Sequence, residues 1–453
     1  MLACLPELPF TPHDYQVDTA KKIIQDMECR ALIADEVGLG KTIEAGLVIK
    51  ELLSFNPQAR ILILTPASLV QQWWSELHEK FGVNFWVSRK GPYAWPGQLV
   101  IGSIDKAKRD EHQEMILNGA YDLVVIDEAH KLKNRKTENW IFVSRINTKG
   151  LILLTATPLQ NKVEEVFNLI SLLKPEVYSD YDSFLSQHQL NPKAAISDLR
   201  DKLHDVMIRN MTKDLGVKNI DRNIKLVEVE MSDLEAEIYR RIKEYPGTFL
   251  AFTLCKEFCS SLSALYDTLQ RKGEYELLPL LEECELSPKI KFLDSILRNH
   301  SGKILIFTEY IQTQFYIARY LQEQNVKFLV FNGMLRRNQK EWIKGLFEKQ
   351  DVPVMICTDS GSQGLNFQYC DVIVNFDLPW NPMKVEQRIG RIDRIGQKSS
   401  NVYIYNFVMK DTIEEKIFSV LGEKISLFKE CIGDLENILT DNEEELYEII
   451  AKL

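Results

Sequence analysis

Residues 31 to 42 constrain this chain more than any other stretch. Ala-Leu-Ile-Ala-Asp-Glu-Val-Gly-Leu-Gly-Lys-Thr is an apolar strand that runs into a glycine-rich turn and ends in Lys41 and Thr42. A buried strand followed by such a turn and a helix aims backbone N–H groups and the positive end of the helix at one spot, which is how a protein cradles phosphate. In that geometry Lys41 reaches the β- and γ-phosphates of a bound triphosphate and the Thr42 hydroxyl ligates a magnesium ion. Gly38 and Gly40 keep the turn flexible, while Asp35 stands where the pattern G-x-x-x-x-G-K-[ST] has its first glycine. Taken alone, a Gly-Lys-Thr at a helix start is also an ordinary capped helix, so the rest of the chain has to decide.

With 453 residues there is room for two or three domains. A hydrophobic content of 45% and a charged content of 26% belong to an ordinary water-soluble protein. No apolar run is long enough to span a bilayer and no basic-then-apolar leader opens the chain, so no membrane partner and a cytoplasmic address are expected. The net charge of -10 argues against coating nucleic acid by bulk attraction and leaves a local basic groove open. The eight cysteines form neither a disulfide framework nor zinc-ligand spacing, and Cys255 and Cys259, one helical turn apart, read as small buried residues on a helix face.

In chain order, Asp14-Tyr15-Gln16 begins an apolar-periodic helix, and Ile61 to Pro66 reads as a short buried parallel strand followed by a helix carrying Trp73 and Trp74. Another strand ends at Val100-Ile-Gly-Ser103. The strand starting at Asp122 then delivers two adjacent carboxylates, Asp127 and Glu128, at the edge where open α/β sheets hold their ligands. Asp127 suits a magnesium ion and Glu128 suits orienting and deprotonating the attacking water, the acidic tasks of ATP hydrolysis. A plain turn has the same residues, and the upstream loop favours catalysis. The strand Leu151-Ile-Leu-Leu154 ends in Thr155-Ala-Thr157-Pro, placing two hydroxyls at the same edge.

Alternating strands and helices predict a doubly wound parallel sheet over residues 1–161, ending near Asn161. Residues 162–287 read as helical insertions and linker: Ser232-Asp-Leu-Glu235 is a capping box, and only Asn223 to Met231 alternates like a strand. Strands return at Lys303, Phe328, Val354 and Val372, giving a second α/β unit over 288–410 without a phosphate loop. It holds Ser360-Gly-Ser-Gln-Gly364-Leu-Asn366 and Glu386-Gln387-Arg-Ile-Gly-Arg391-Ile-Asp-Arg394. Arg391 and Arg394 are expected on one helix, facing one target; opposite a nucleotide they are candidate arginine fingers. Residues 411–453 read as C-terminal helices, with Thr412-x-x-Glu415 as a cap, Gly433 as a stop and a solvated acidic face beyond.

The ordered series Asp-Glu-Val-Gly-Leu-Gly-Lys-Thr, Asp-Glu-Ala-His, Leu-Thr-Ala-Thr-Pro-Leu-Gln-Asn, Thr-Asp-Ser-Gly-Ser-Gln-Gly-Leu-Asn and Gln-Arg-Ile-Gly-Arg-Ile-Asp-Arg resembles the motifs of the Swi/Snf-type ATPases of helicase superfamily two. Glu36-Val37-Gly38, Arg209-Asn210 and Arg391-Ile-Asp-Arg394 resemble its bacterial RapA-like branch. The resemblance implies two RecA-like parallel-sheet domains with helical insertions and a C-terminal helical segment, ATP and Mg2+ as cofactors, and an ATP-driven translocase on double-stranded DNA that need not separate strands. It makes Gln16 the adenine-reading residue and Gln387 part of the finger motif. Thr155, Thr157, Gly364 and Asn366 become the residues coupling hydrolysis to movement, and Thr65, Pro66, Ser103, Thr308 and Gly333 the contacts to the DNA backbone. Trp73 and Trp380 are family tryptophans of structural character, and Lys340 stands where the family has arginine. The first motif begins near residue 14 and the chain ends soon after its last helix, so a bare motor is expected, its specificity supplied by a protein partner such as RNA polymerase or a defence or restriction complex. The rival readings are a nucleotide-gated subunit of such a complex and an RNA-directed ATPase or helicase.

Overall fold

The structure is a computed structural model that describes residues 2–88, 95–159, 162–176, 182, 184, 186, 199–215, 220–359, 366–394 and 396–432. Asn161, Gly364, Gly433 and the acidic stretch after it lie outside these residues. Two compact units share the described chain: 2–215 with 427–432, and 220–426.

The first unit is built on β1 (Arg30–Ile33), β2 (Ile61–Thr65), β3 (Trp86–Val87), β4 (Leu99–Ser103), β5 (Ala120–Asp127), β6 (Asn147–Leu154) and β7 (Met207–Ile208). They form one sheet in the order β3-β4-β2-β5-β6-β1-β7, and every pairing is parallel. Its central strands are continuous runs of Ile, Leu and Val buried on both faces, as strands covered by helices on each side must be. Helices Asp14–Gln25, Lys41–Phe55 and Val70–Phe81 pack on one of these faces through Ile23, Leu47, Val48, Trp73 and Leu77. The unit runs past its expected end near Asn161, because β7 pairs with β1 and continues the sheet. A two-residue strand carries no periodic signal, so its place in the sheet was not readable from sequence.

The second unit contains β8 (Asp221–Val229), β9 (Ile304–Thr308), β10 (Phe328–Phe331), β11 (Val354–Thr358), β12 (Val372–Asn375) and β13 (Asn401–Met409). Its sheet, in the order β10-β11-β9-β12-β13-β8, is also parallel throughout. The alternating stretch expected at 223–231 is β8, an edge strand, and it ties the following helices to this unit rather than leaving them as a separate insertion. Those helices have their own core of Ile238, Ile242, Leu254, Phe258, Leu265, Leu269 and Leu281. The Ser232–Glu235 capping box forms in both directions.

The last helix, Ile413–Cys431, has the apolar stripe that its sequence spacing implies: Ile417, Leu421, Ile425 and Phe428 are buried and Ile413 is half-buried. At its start the Thr412 hydroxyl accepts the Glu414 N–H at 3.1 Å, Glu415 reaches back to the Asp411 backbone, and Glu414 reaches back too, its Oε2 accepting the Met409 N–H at 2.8 Å. Glu414 Oε1 accepts from Lys289 Nζ at 2.7 Å, and Lys289, fully buried, also donates to the Phe376 carbonyl at 2.9 Å. Burial pushes the Glu414 carboxyl up to about 7 against the pull of Lys289. The unfolded chain ionises this group near 4.5, so its contribution to stability falls as pH rises from about 4.5 to about 7 and is flat above. Between pH 5 and pH 8, urea unfolding of the wild type should therefore lose on the order of 3 kcal/mol relative to Glu414→Gln; parallel profiles would contradict the assignment.

All eight cysteines are free, with Cys255 and Cys259 buried on one helix as expected. Among the described residues no helix is long and apolar enough to cross a membrane.

Candidate active site

Strand order decides what meets at the carboxyl edge of the first sheet. β6 lies between β5 and β1, so the carboxylates after β5, the threonines after β6 and the glycine-rich loop after β1 emerge side by side. Gly38 and Gly40 both take positive φ, 96° and 88°, a region that glycine enters without steric cost. A Cβ on Gly40 would stand 2.8 Å from Gln16 Nε2, so a larger residue there would also push the Gln16 amide aside. The helix Lys41–Phe55 starts at this turn and points its free N–H groups back at the loop.

Lys41 Nζ donates to the carbonyls of Asp35 at 2.7 Å and Glu36 at 3.0 Å, spanning the loop. Burial pulls its ammonium below the usual lysine range, opposed by the charges of Asp35, Glu44, Glu128 and Asp127. Lys41 is thus electrostatically joined to the carboxylate pair. The Gln16 amide, buried, donates to the Leu39 carbonyl at 2.9 Å and accepts the His13 N–H at 3.1 Å, so this expected adenine-reading group braces the loop. Asp35 is fully buried. Glu44, fully buried nearby, has its carboxyl raised well above the usual range, by burial first and then by the Asp35 charge.

Asp127 accepts from Trp73 Nε1 at 2.7 Å and from the Glu128 N–H at 2.8 Å. Burial, then the neighbouring Glu128 charge, pushes its carboxyl up to about 6. Trp73 is therefore more than a structural tryptophan, because its indole orients the carboxylate expected to hold metal. Glu128 sits at φ 52°, a left-handed conformation that is costly for a residue with a Cβ and recurs at functional sites. Its Oε2 lies 3.1 Å from His130 Nδ1. Thr155 and Thr157 are buried, and their hydroxyls bond each other at 3.2 Å.

The finger motif departs from expectation. Its helix, Pro382–Ile389, stops before Arg391, and Arg391 and Arg394 lie in the turns that follow, both half-buried. Gly390 ends the helix, and Asp393 between the two arginines is held by Arg222 of β8, which also makes paired 3.1 Å bonds to Glu386. The buried guanidinium is Arg388. It donates to Asp359 at 2.7 Å, Asn375 at 3.0 Å and the Asp377 carbonyl at 2.8 Å. Burial pushes the Asp359 carboxyl up, and Arg388 with Lys384 more than offsets it, leaving it below the usual range. Gln387 and Asn366 are half-buried.

The expected nucleic-acid contacts divide. Thr65 and Ser103 are register partners on β2 and β4. Thr65 and Thr308 are fully buried with their hydroxyls spent inward, on the Pro66 carbonyl at 2.8 Å and the Asp377 carboxylate at 2.5 Å, so neither offers a side-chain oxygen to a phosphate. Pro66 is buried, Ser103 half-buried and Gly333 exposed. Lys340 lies over the Phe331 ring at 5.7 Å, and Trp380 packs on Phe252 at 5.5 Å.

A family model described as the SNF2-related domain matches residues 16–274, and one described as the helicase conserved C-terminal domain matches residues 288–396. The uncharacterized ATP-dependent helicase YqhH of Bacillus subtilis (strain 168) is 41% identical over 470 residues, spanning 97% of this chain and 84% of that protein. The Sulfolobus solfataricus SWI2/SNF2 ATPase core in complex with dsDNA aligns over 99% of both chains at 23% identity with a TM-score of 0.47.

Proposed function

Since this chain belongs to the SNF2-related family and is an ATP-hydrolysing, helicase-type motor, we propose that it is a translocase on double-stranded DNA that moves without obligatory strand separation and displaces bound protein. The observation that carries the catalytic half is the carboxyl edge of the first sheet, where Lys41 feels the charges of Asp127 and Glu128, and Asp127 those of Glu128 and Lys41. Lys41 and the N–H groups at the start of its helix bind the β- and γ-phosphates. Glu128 orients the attacking water and takes its proton.

The donor set fits magnesium, a hard cation that takes oxygen ligands and keeps substrate phosphates and water among them. Thr42 and Asp127 would hold it, and it would supply neutralisation of phosphate charge. In the second unit, Arg391 and Arg394 are assigned to the charge that develops on the γ-phosphate, in support of which Arg222 and Asp393 fix the turn that carries them. Thr155, Thr157, Gly364 and Asn366 transmit hydrolysis to movement. Strand-end positions Thr65, Ser103, Thr308 and Gly333 meet the DNA backbone through main-chain N–H groups and the Ser103 hydroxyl, with Pro66 in apolar contact beside them, which reads phosphates rather than bases.

Within the family, Glu36-Val37-Gly38, Arg209-Asn210 and Arg391-Ile-Asp-Arg394 favour the bacterial RapA-like branch, with a protein partner such as RNA polymerase or a defence or restriction complex supplying specificity. The test is displacement of a third strand from a DNA triplex beside a strand-separation assay on plain duplex. ATP-dependent third-strand release with the duplex intact is expected. Unwinding of the plain duplex, or release that needs no ATP, would overturn the reading.

A further inference from the structure

Position 35 departs from the phosphate-loop pattern with a charged residue, and the structure supplies an unusual set of partners for it. Asp35 is fully buried at the end of β1, a costly place for a carboxylate unless it is hydrogen-bonded. Both of its oxygens accept from one residue far along the chain, Asn210 N–H donating to Oδ1 at 2.9 Å and Asn210 Nδ2 to Oδ2 at 2.9 Å, while the buried Glu44 carboxyl bonds it from the helix after the loop. The same Nδ2 lies 3.0 Å from Thr19 Oγ1, on the helix that also carries Gln16.

The segment around Asn210 runs alongside the loop as an extension of β7. Ala34 N–H donates to the Ile208 carbonyl at 2.8 Å, and Glu36 N–H to the Asn210 carbonyl at 3.1 Å. Arg209 Nη1 donates to the Ala34 carbonyl at 2.8 Å. Glu36 Oε2 accepts from both the N–H and the hydroxyl of Thr212 at 2.8 Å each. Residues 34 to 36 are therefore held from outside the loop by side chain and backbone together, and the carbonyls of Asp35 and Glu36 are the two that receive Lys41 Nζ.

We propose that Asn210 is a positioning residue for ATP hydrolysis: by clasping the Asp35 carboxylate with two bonds it fixes the Asp35 and Glu36 carbonyls that set the Lys41 ammonium across the phosphate loop. It rests on the reading of residues 31 to 42 as the ATP site. Asn210 meets neither nucleotide nor reacting atoms; it acts through Asp35.

Reciprocity provides the test. Asn210→Asp sets two buried carboxylates against each other, and Asp35→Asn sets two amide donors against each other, whereas the swap Asp35→Asn/Asn210→Asp restores a donor facing an acceptor. In the full chain, ATP turnover should fall about a hundredfold in each single variant, the scale of cost for an ångström-sized misplacement, and about tenfold in Asn210→Ala, with binding of a fluorescent ATP analogue weakened alongside. The swap should return to within about fivefold of wild type. A swap no tighter than the single variants, or an Asn210→Ala that keeps the wild-type unfolding midpoint and binds as wild type, overturns the clasp. Lys41→Ala separates the two layers: if it also binds as wild type, the ATP-site reading is what fails.

Discussion

Glu128→Gln should lower the turnover of ATP by 10²- to 10⁴-fold, the usual worth of a general base, while leaving the nucleotide bound. The argument is geometric. Glu128 follows Asp127 at the end of β5 in a left-handed backbone conformation, which turns its carboxyl away from the path a continuing strand would take. Trp73 and the Glu128 N–H occupy the two oxygens of Asp127, so the adjacent carboxylates have separate duties: Asp127 is fixed by these two donors, and Glu128 Oε2 lies 3.1 Å from His130 Nδ1. Removing the charge from Glu128 also removes one cause of the raised Asp127 carboxyl, so metal and nucleotide binding should hold or improve. Steady-state hydrolysis beside equilibrium nucleotide binding measures both. Normal turnover in Glu128→Gln would remove Glu128 from the mechanism.

Arg391→Ala should cost on the order of a thousandfold in turnover, as loss of an arginine finger does elsewhere. The expectation is specific because a second arginine offers a control. Arg388 is buried and spends its guanidinium on Asp359, Asn375 and the Asp377 carbonyl. Arg388→Ala should therefore leave buried acceptors unpaired and lower the unfolding midpoint. Arg391→Ala should lower the midpoint less than Arg388→Ala does while costing that thousandfold in turnover. If Arg391→Ala unfolds the protein or keeps full activity, the finger assignment fails.

The motor's chemistry was legible where it is written contiguously. The loop at 31–42 and the pair Asp127-Glu128 each need only one strand and one turn, so spacing along the chain is spacing in the site. What sequence left hidden depends on contacts between distant residues. Trp73 meets Asp127 across 54 positions, Asn210 meets Asp35 across 175, and Arg222 meets Glu386 across 164. No periodicity records such pairs. β7 was missed for the same reason, whereas β8 showed as alternation but not as a member of the second sheet. The arginine spacing of the finger motif looked helical, and the helix does stop at Ile389, but the turns after it keep bonds such as Asp393 N–H to the Ile389 carbonyl, with Asp393 held by Arg222. Burial altered the meaning of Thr65 and Thr308, whose hydroxyls were needed inside.

The most direct test of the central claim is steady-state ATP hydrolysis by the purified chain alone, with duplex DNA, with single-stranded DNA and with duplex RNA, beside Lys41→Ala. Strong stimulation by duplex DNA, absent in Lys41→Ala and falling steeply with salt as counterion release requires, is the predicted result. A rate equal to that of Lys41→Ala with every nucleic acid, or stimulation by duplex RNA alone, would contradict it.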